Sequence, residues 1–331
     1  MADLSTTYMG LNLKNPVVPS ASPLSRDLGD IKWMEDAGAG AVVLYSLFEE
    51  QIGLEEDELK HVLNRGAQSL VDASAYFPSQ LEYTRSPDDY VEHVRKAKEA
   101  VDIPIIASMN GISKGGWLEY SKMIAEAGAD GLELNIYFIP TTSRLFGLDV
   151  ETLYLDILGS VKKQVNIPVA VKLSPFFTAL PNFADRLADA GADALVLFNR
   201  FYQPDIDVGH EDVVPNLTLS TPADMRLPLR WVAILHGEIE TSLALTGGVH
   251  SADDVLKAIM VGADVVNVCS VLLKEGIGKI TELVEGVSKG LEEKGHRSIG
   301  DLKGNLSLQS YVEPWAFERA SYLKLLQSYG R

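Results

Sequence analysis

The chain has 331 residues, 46% of them apolar and 23% charged, the balance of a globular protein with a large core. Its 46 acidic residues against 29 lysines and arginines give a formal charge of −17, which excludes the basic surface that nucleic acid or an anionic membrane would need. The single cysteine, Cys269, excludes an intrachain disulfide framework. With no apolar run of membrane-spanning length and no leader-like pattern in Met1-Ala-Asp-Leu-Ser-Thr-Thr, a cytoplasmic location is expected.

In chain order, Leu4–Asn15 with Gly10 at its middle reads as a hairpin ahead of the first long strand, placed to plug the bottom of a barrel. Eight apolar runs then read as strands: Pro16–Ser20, Gly40–Tyr45, Ile103–Met109, Gly131–Ile136, Pro168–Leu173, Ala194–Asn199, Ser242–Thr246 and Val265–Cys269. Helical periodicity lies between them in Asp88–Val101, Gly115–Ala127, Val150–Val165, Asn182–Ala190 and Ala252–Val261. Ser86, Ser113, Asp149 and Ser251 stand where N-caps belong. Two connections are long: Leu47–Ser86, with acidic helical character over Gly53–Asn64, and Arg200–Arg226, rich in Pro, Asp and aromatics.

One phrase recurs four times, as Asp36-Ala-Gly-Ala-Gly, Glu126-Ala-Gly-Ala-Asp, Asp189-Ala-Gly-Ala-Asp and Met260-Val-Gly-Ala-Asp, each leading into an apolar strand. Each copy is a helix end, a glycine suited to the left-handed cap and a short turn. Strands apolar on both faces and fed by helices belong to a parallel sheet covered by helices. Eight such alternations predict a (β/α)8 TIM barrel, with residues 1–331 forming one domain.

Several strands converge only at the barrel mouth, so polar residues ending apolar strands are the site candidates. They are Ser20, Ala21 and Ser22; Tyr45 and Ser46; Ser108 and Asn110; Asn135; Lys172 and Ser174; Asn199 and Arg200; Thr246, Gly247 and Gly248; and Asn267, Cys269 and Ser270. Strands 7 and 8 end in small residues ahead of helix starts, a pattern that offers backbone N–H groups to a phosphate. A lysine directed into a barrel is costly unless it meets an anion or a polarised ring. The six histidines lack ligand spacing, so no metal site is expected.

The chain resembles the dihydroorotate dehydrogenase family of FMN-binding barrels. The likeness runs from Asp3-Leu-Ser-Thr-Thr-Tyr-Met-Gly through Ile167-Pro-Val-Ala-Val-Lys-Leu-Ser-Pro, Thr246-Gly-Gly-Val and Gly262-Ala-Asp-Val-Val-Asn-Val-Cys-Ser to Ser298-Ile-Gly-Asp-Leu-Lys-Gly. The resemblance implies FMN as cofactor. Ser20, Ala21 and Ser22 would line its ring, and Lys172 would lie near the ring and ribityl chain. Ser46, Asn135 and Asn199 would stand by flavin and substrate, while Gly247, Gly248, Cys269 and Ser270 would hold the phosphate through backbone N–H groups. It also implies a homodimer, a small-molecule substrate and room for a redox partner protein.

The departures fall on the substrate side. Where the family has Asn-x-Ser-Cys-Pro-Asn, or a variant with Ser as base, this chain reads Asn135-Ile-Tyr-Phe-Ile-Pro140, so Phe138 takes the place of the base. Tyr45-Ser46 replaces the family's Lys-Ser/Thr, and Ala73-Ser-Ala-Tyr-Phe-Pro-Ser79 shows no match to its Asn-containing loop. Loss of a general base costs about 10²–10⁴ in rate. The replacement acid/base candidates are Tyr45, Tyr137, Tyr202 and His210. The leading reading is an FMN oxidoreductase with a divergent substrate. The alternatives are dihydroorotate dehydrogenase with a relocated base, an FMN electron-transfer or assembly subunit, and a phosphate-binding lyase or isomerase barrel without flavin.

Overall fold

The computed structural model describes residues 2–51, 86–112, 117–201, 203–318, 322, 326 and 327. Strands β1 (Thr6–Tyr8) and β2 (Leu11–Leu13) pair antiparallel around Gly10. Eight parallel strands come after them: β3 (Val17–Pro19), β4 (Val42–Phe48), β5 (Ile105–Gly111), β6 (Gly131–Ile136), β7 (Val169–Leu173), β8 (Ala194–Leu197), β11 (Ser242–Thr246) and β12 (Val265–Val268). Between β8 and β11 a small hairpin, β9 (Asp205–Asp207) and β10 (Asp212–Val214), rises from the long connection. The large sheet runs β3-β12-β11-β8-β7-β6-β5-β4, and its edges meet where the Gly40 N–H donates to Val17 O at 2.8 Å.

Ten helices are described: α1 (Leu28–Asp36), α2 (Pro87–Ala100), α3 (Trp117–Glu126), α4 (Gly147–Lys162), α5 (Leu180–Asp189), α6 (Arg226–Leu235), α7 (Ala252–Val261), α8 (Ser270–Glu275), α9 (Lys279–Glu293) and α10 (Ile299–Leu302). Ser86 and Ser251 cap α2 and α7 through reciprocal bonds with Asp89 and Asp254. Asp149 sits elsewhere than expected. Helix α4 starts three residues earlier, and the Asp149 carboxylate reaches back to accept the Phe146 N–H at 2.8 Å. Ser113, Gly53–Asn64 and Ala73–Ser79 lie outside the described residues.

The repeated phrase has a shared geometry. Gly38, Gly128, Gly191 and Gly262 all adopt positive φ, between 96° and 112°. In the last three copies the aspartate after the turn works twice. Asp130 accepts the Ile105 N–H and pairs with Lys98; Asp193 accepts the Val169 N–H and pairs with Lys162; Asp264 accepts the Leu243 N–H and pairs with Lys303. Each bond ties the start of one strand to the turn leading into the next. In the first copy Gly40 stands in that place, because a side chain there would collide with the Asn15 backbone; Asn15 itself caps Val17.

Tyr8, Met9 and Leu13 of the hairpin are buried with Val18, Val43, Ile106, Ala170, Ala194, Val196, Ala244 and Val265. Four alanines in that layer, Ala41 with Ala170, Ala194 and Ala244, leave room for the larger hairpin side chains. Burying Met9 and Leu13 contributes about 1.5–3 kcal/mol each. The hairpin therefore closes the N-terminal end of the barrel, and the opposite end is left for the site.

Candidate functional site

A cavity of about 490 Å³ opens at the C-terminal ends of the strands. That volume lies within the range of small-ligand and cofactor sites. Nine of the eleven cofactor candidates line it: Ser20, Ala21, Ser22, Lys172, Asn199, Gly247, Gly248, Cys269 and Ser270. Asn135 stands one step back, its Oδ1 accepting from Asn199 Nδ2 at 2.9 Å. Ser46 is also off the wall, its hydroxyl 2.9 Å from that of Ser108.

Lys172 is the last residue but one of β7, and the register places it beside Asn135 of β6. Its ammonium meets Glu133 Oε1 at 3.2 Å, with only 8% and 1% of the two side chains exposed. Glu133 was not among the residues expected at the site. It shares the inward face of β6 with Asn135, two positions along, and period-two counting would have found it.

At the other end of the cavity Gly247 and Gly248 have φ of 92° and 80°. A side chain at Gly247 would meet nothing, whereas one at Gly248 would press on Met225, its Cβ 2.8 Å from that of Met225. Ser220, from the connection after β10, reaches in beside them. Its N–H donates to Ser270 Oγ at 3.0 Å, the two hydroxyls lie 2.9 Å apart, and the Gly248 N–H donates to Ser220 Oγ at 3.2 Å. Lys274 of α8 holds the Ser220 carbonyl at 3.0 Å. Asn267 on β12 lines the cavity and is 1% exposed, yet neither atom of its amide finds a partner among the described residues.

The three described acid/base candidates do not line the cavity. Tyr45 packs outward, edge-on to Tyr90 at 5.1 Å, with Arg26 over its ring and its hydroxyl buried without a bond among the described residues. His210 is exposed on the β9–β10 turn and bonds Asp207 at 2.8 Å. Tyr137 leans toward Phe201, ring centres 6.1 Å apart, beside the cavity rather than on its wall. Tyr202 lies outside the described residues.

The titratable groups on the described wall are Lys172, Arg200, Asp224 and Cys269. Burial pushes the Cys269 thiol up, so it stays protonated near neutrality. Asp224 is held below the usual carboxylate range, first by the Thr221 N–H, and Arg200 pairs with it at 3.0 Å. The remaining wall is largely aromatic and aliphatic, with Phe176, Phe198, Phe201, Leu217 and Leu227. Phe138, at the family's base position, is half-buried, and Ile139 and Pro140 after it are exposed.

A barrel with a cation-bearing cleft and a glycine cradle at its C-terminal mouth has the site layout of a cofactor-dependent α/β-barrel enzyme. The profile of the family described as dihydroorotate dehydrogenase matches residues 3–291, and the chain belongs to that family. Its relatives include a catalytic subunit of dihydroorotate dehydrogenase B (NAD(+)) from Thermoplasma volcanium, 30% identical over 92% of this chain and 98% of that one. The subunit of the same name from Thermoplasma acidophilum is 28% identical over 92% and 99%. That from Methanosarcina mazei is 27% identical over 91% and 94%.

Proposed function

We propose that this chain is an FMN-dependent oxidoreductase acting on a CH–CH bond, with a substrate that is dihydroorotate-like or has diverged from it. The observation that carries the reading is the 490 Å³ cavity that gathers nine of the flavin positions expected from the sequence. Bound FMN supplies hydride acceptance and donation. Ser20, Ala21, Ser22 and Lys172 would hold the ring end, and the backbone of Gly247, Gly248, Cys269 and Ser270 the phosphate end. These residues fit such a ligand. Gly247 brings bare backbone to the wall, the Gly248 N–H would exchange its Ser220 hydroxyl for the phosphate, and Lys172 brings positive charge to an otherwise largely apolar space.

Around that ligand the chain's own groups divide the work. Glu133 fixes the Lys172 ammonium, and the Asn135–Asn199 bond orients the Asn199 amide toward the cavity. Phe176 and Phe201, ring centres 4.7 Å apart, stand at the mouth, where they would flank a bound ligand. None of the described wall groups is a free base. Tyr137, beside the cavity, and Tyr202, outside the described residues, stay the acid/base candidates for the proton that accompanies hydride transfer. We further propose a single-domain, cytoplasmic homodimer that passes electrons to a redox partner. No described helix is long and apolar enough to cross a membrane.

The test begins with the absorption spectrum of the purified protein. One equivalent of FMN, carried or taken up, is the expected result; a colourless protein that cannot take up FMN refutes the reading. Anaerobic addition of dihydroorotate then decides the substrate. Bleaching of the flavin assigns dihydroorotate, and its persistence assigns a diverged one.

A further inference from the structure

Asn267 is the one amide on the cavity wall whose donor and acceptor are both buried and unpartnered among the described residues. Leaving a buried polar group unsatisfied costs about 1–3 kcal/mol. A leucine of nearly the same shape would avoid that cost, so the amide is placed for something that enters the cavity. Its occupant must accept from Nδ2 and donate to Oδ1. A hydroxyl does both; a carbonyl, a phosphate oxygen or an apolar ring edge does only one or neither.

The place of Asn267 narrows the choice. On β12 it precedes Cys269 by two residues, and across the sheet it pairs with Thr246, which precedes Gly247. Asn267 thus lies one step deeper than the glycine end of the cavity. Lys172 marks the opposite, ring end, with β8 between its strand and β11. From the orphaned amide and this position we propose that Asn267 binds the polyol chain of the cofactor, reading its hydroxyls between ring and phosphate. Thr246, also buried and on the wall, stands beside it. The inference rests on the proposed flavin function.

The test compares wild type with Asn267→Leu in three titrations: FMN, riboflavin, which keeps the polyol but lacks phosphate, and lumiflavin, which has the ring alone. The expected result is a loss of about tenfold for FMN and riboflavin by the same factor, as for one hydrogen-bonding group, with lumiflavin unchanged. The melting temperature of the apo variant should equal or exceed that of wild type. Equal losses for lumiflavin overturn the proposal in favour of the ring. Unchanged FMN and riboflavin affinities overturn it in favour of a buried water. A lowered apo melting temperature overturns it in favour of a scaffold role. If Asn267→Leu does not fold, Asn267→Ser is run through the same titrations. Wild type that binds none of the three refutes the flavin reading itself, an outcome distinct from a loss confined to the variant.

Discussion

Replacing Lys172 by methionine removes one half of a buried ion pair and leaves the other half in place. The charges sit 3.2 Å apart with 8% and 1% of their side chains exposed. At that separation and an effective dielectric constant of about 20 the attraction is about 5 kcal/mol. Desolvation offsets much of it in the intact pair, but the lone carboxylate of Glu133 keeps its own desolvation cost without compensation. Lys172→Met should therefore destabilise the apo protein by about 3–5 kcal/mol, a large part of a domain's total stability. Lys172→Met combined with Glu133→Leu should recover most of the loss, because an apolar pair of similar volume replaces the ionic one at little cost. Urea unfolding of wild type, both single variants and the double variant closes the cycle. A Lys172→Met midpoint equal to wild type, or a double variant no better than the single one, would refute the claim that Glu133 is held in the barrel by this lysine.

Three other outcomes can be checked independently. Gly248→Ala combines a φ of 80° with a crowded Met225 and should cost about 1–3 kcal/mol and at least tenfold in FMN affinity by equilibrium dialysis; unchanged retention counts against the glycine end as the phosphate site. Asp193→Ala removes both the cap on Val169 and the Lys162 pair, and a loss of about 1–3 kcal/mol in urea unfolding is expected. Burial, then the nearby Lys303 charge, holds the His236 imidazole below its ordinary pKa, so the unfolded chain binds the proton more readily. Its contribution is present above about pH 6.5 and is lost as pH falls through the folded value. Wild type should thus lose melting temperature between about pH 7 and 5 more steeply than His236→Gln, and parallel profiles would exclude the effect.

The barrel was legible because its cause is local and repeated. β6, β11 and α7 fall on the expected boundaries, and the four left-handed glycines stand where the recurring phrase put them. The flavin-side residues were legible for a related reason, since strand ends converge by topology alone. Tyr45 was not. Counting by twos from the inward-facing Val43 aims it at the mouth, but a register irregularity between Val43 and Ser46 turns it outward against Tyr90 and His93. Such a bulge leaves no mark in composition. Ser220 was missed because it enters from the middle of an irregular connection that no periodicity governs. Asn267 was visible as a strand-end amide, but its lack of partners exists only in three dimensions.

The plugging hairpin has a consequence for how the molecule is made. The Thr6 hydroxyl donates to the Asp264 carbonyl, Met9 N–H to Ser242 Oγ, and β3 finds its ladder partner only in β12. Residues 6–19 are synthesised early, and nearly 250 residues must be added before the last of their partners exist. At ribosomal speed that interval is on the order of 10–50 s. Through it the oily floor of the future vessel is only partly covered, so a nascent chain stopped short of β12 should keep exposed apolar surface that the finished one buries.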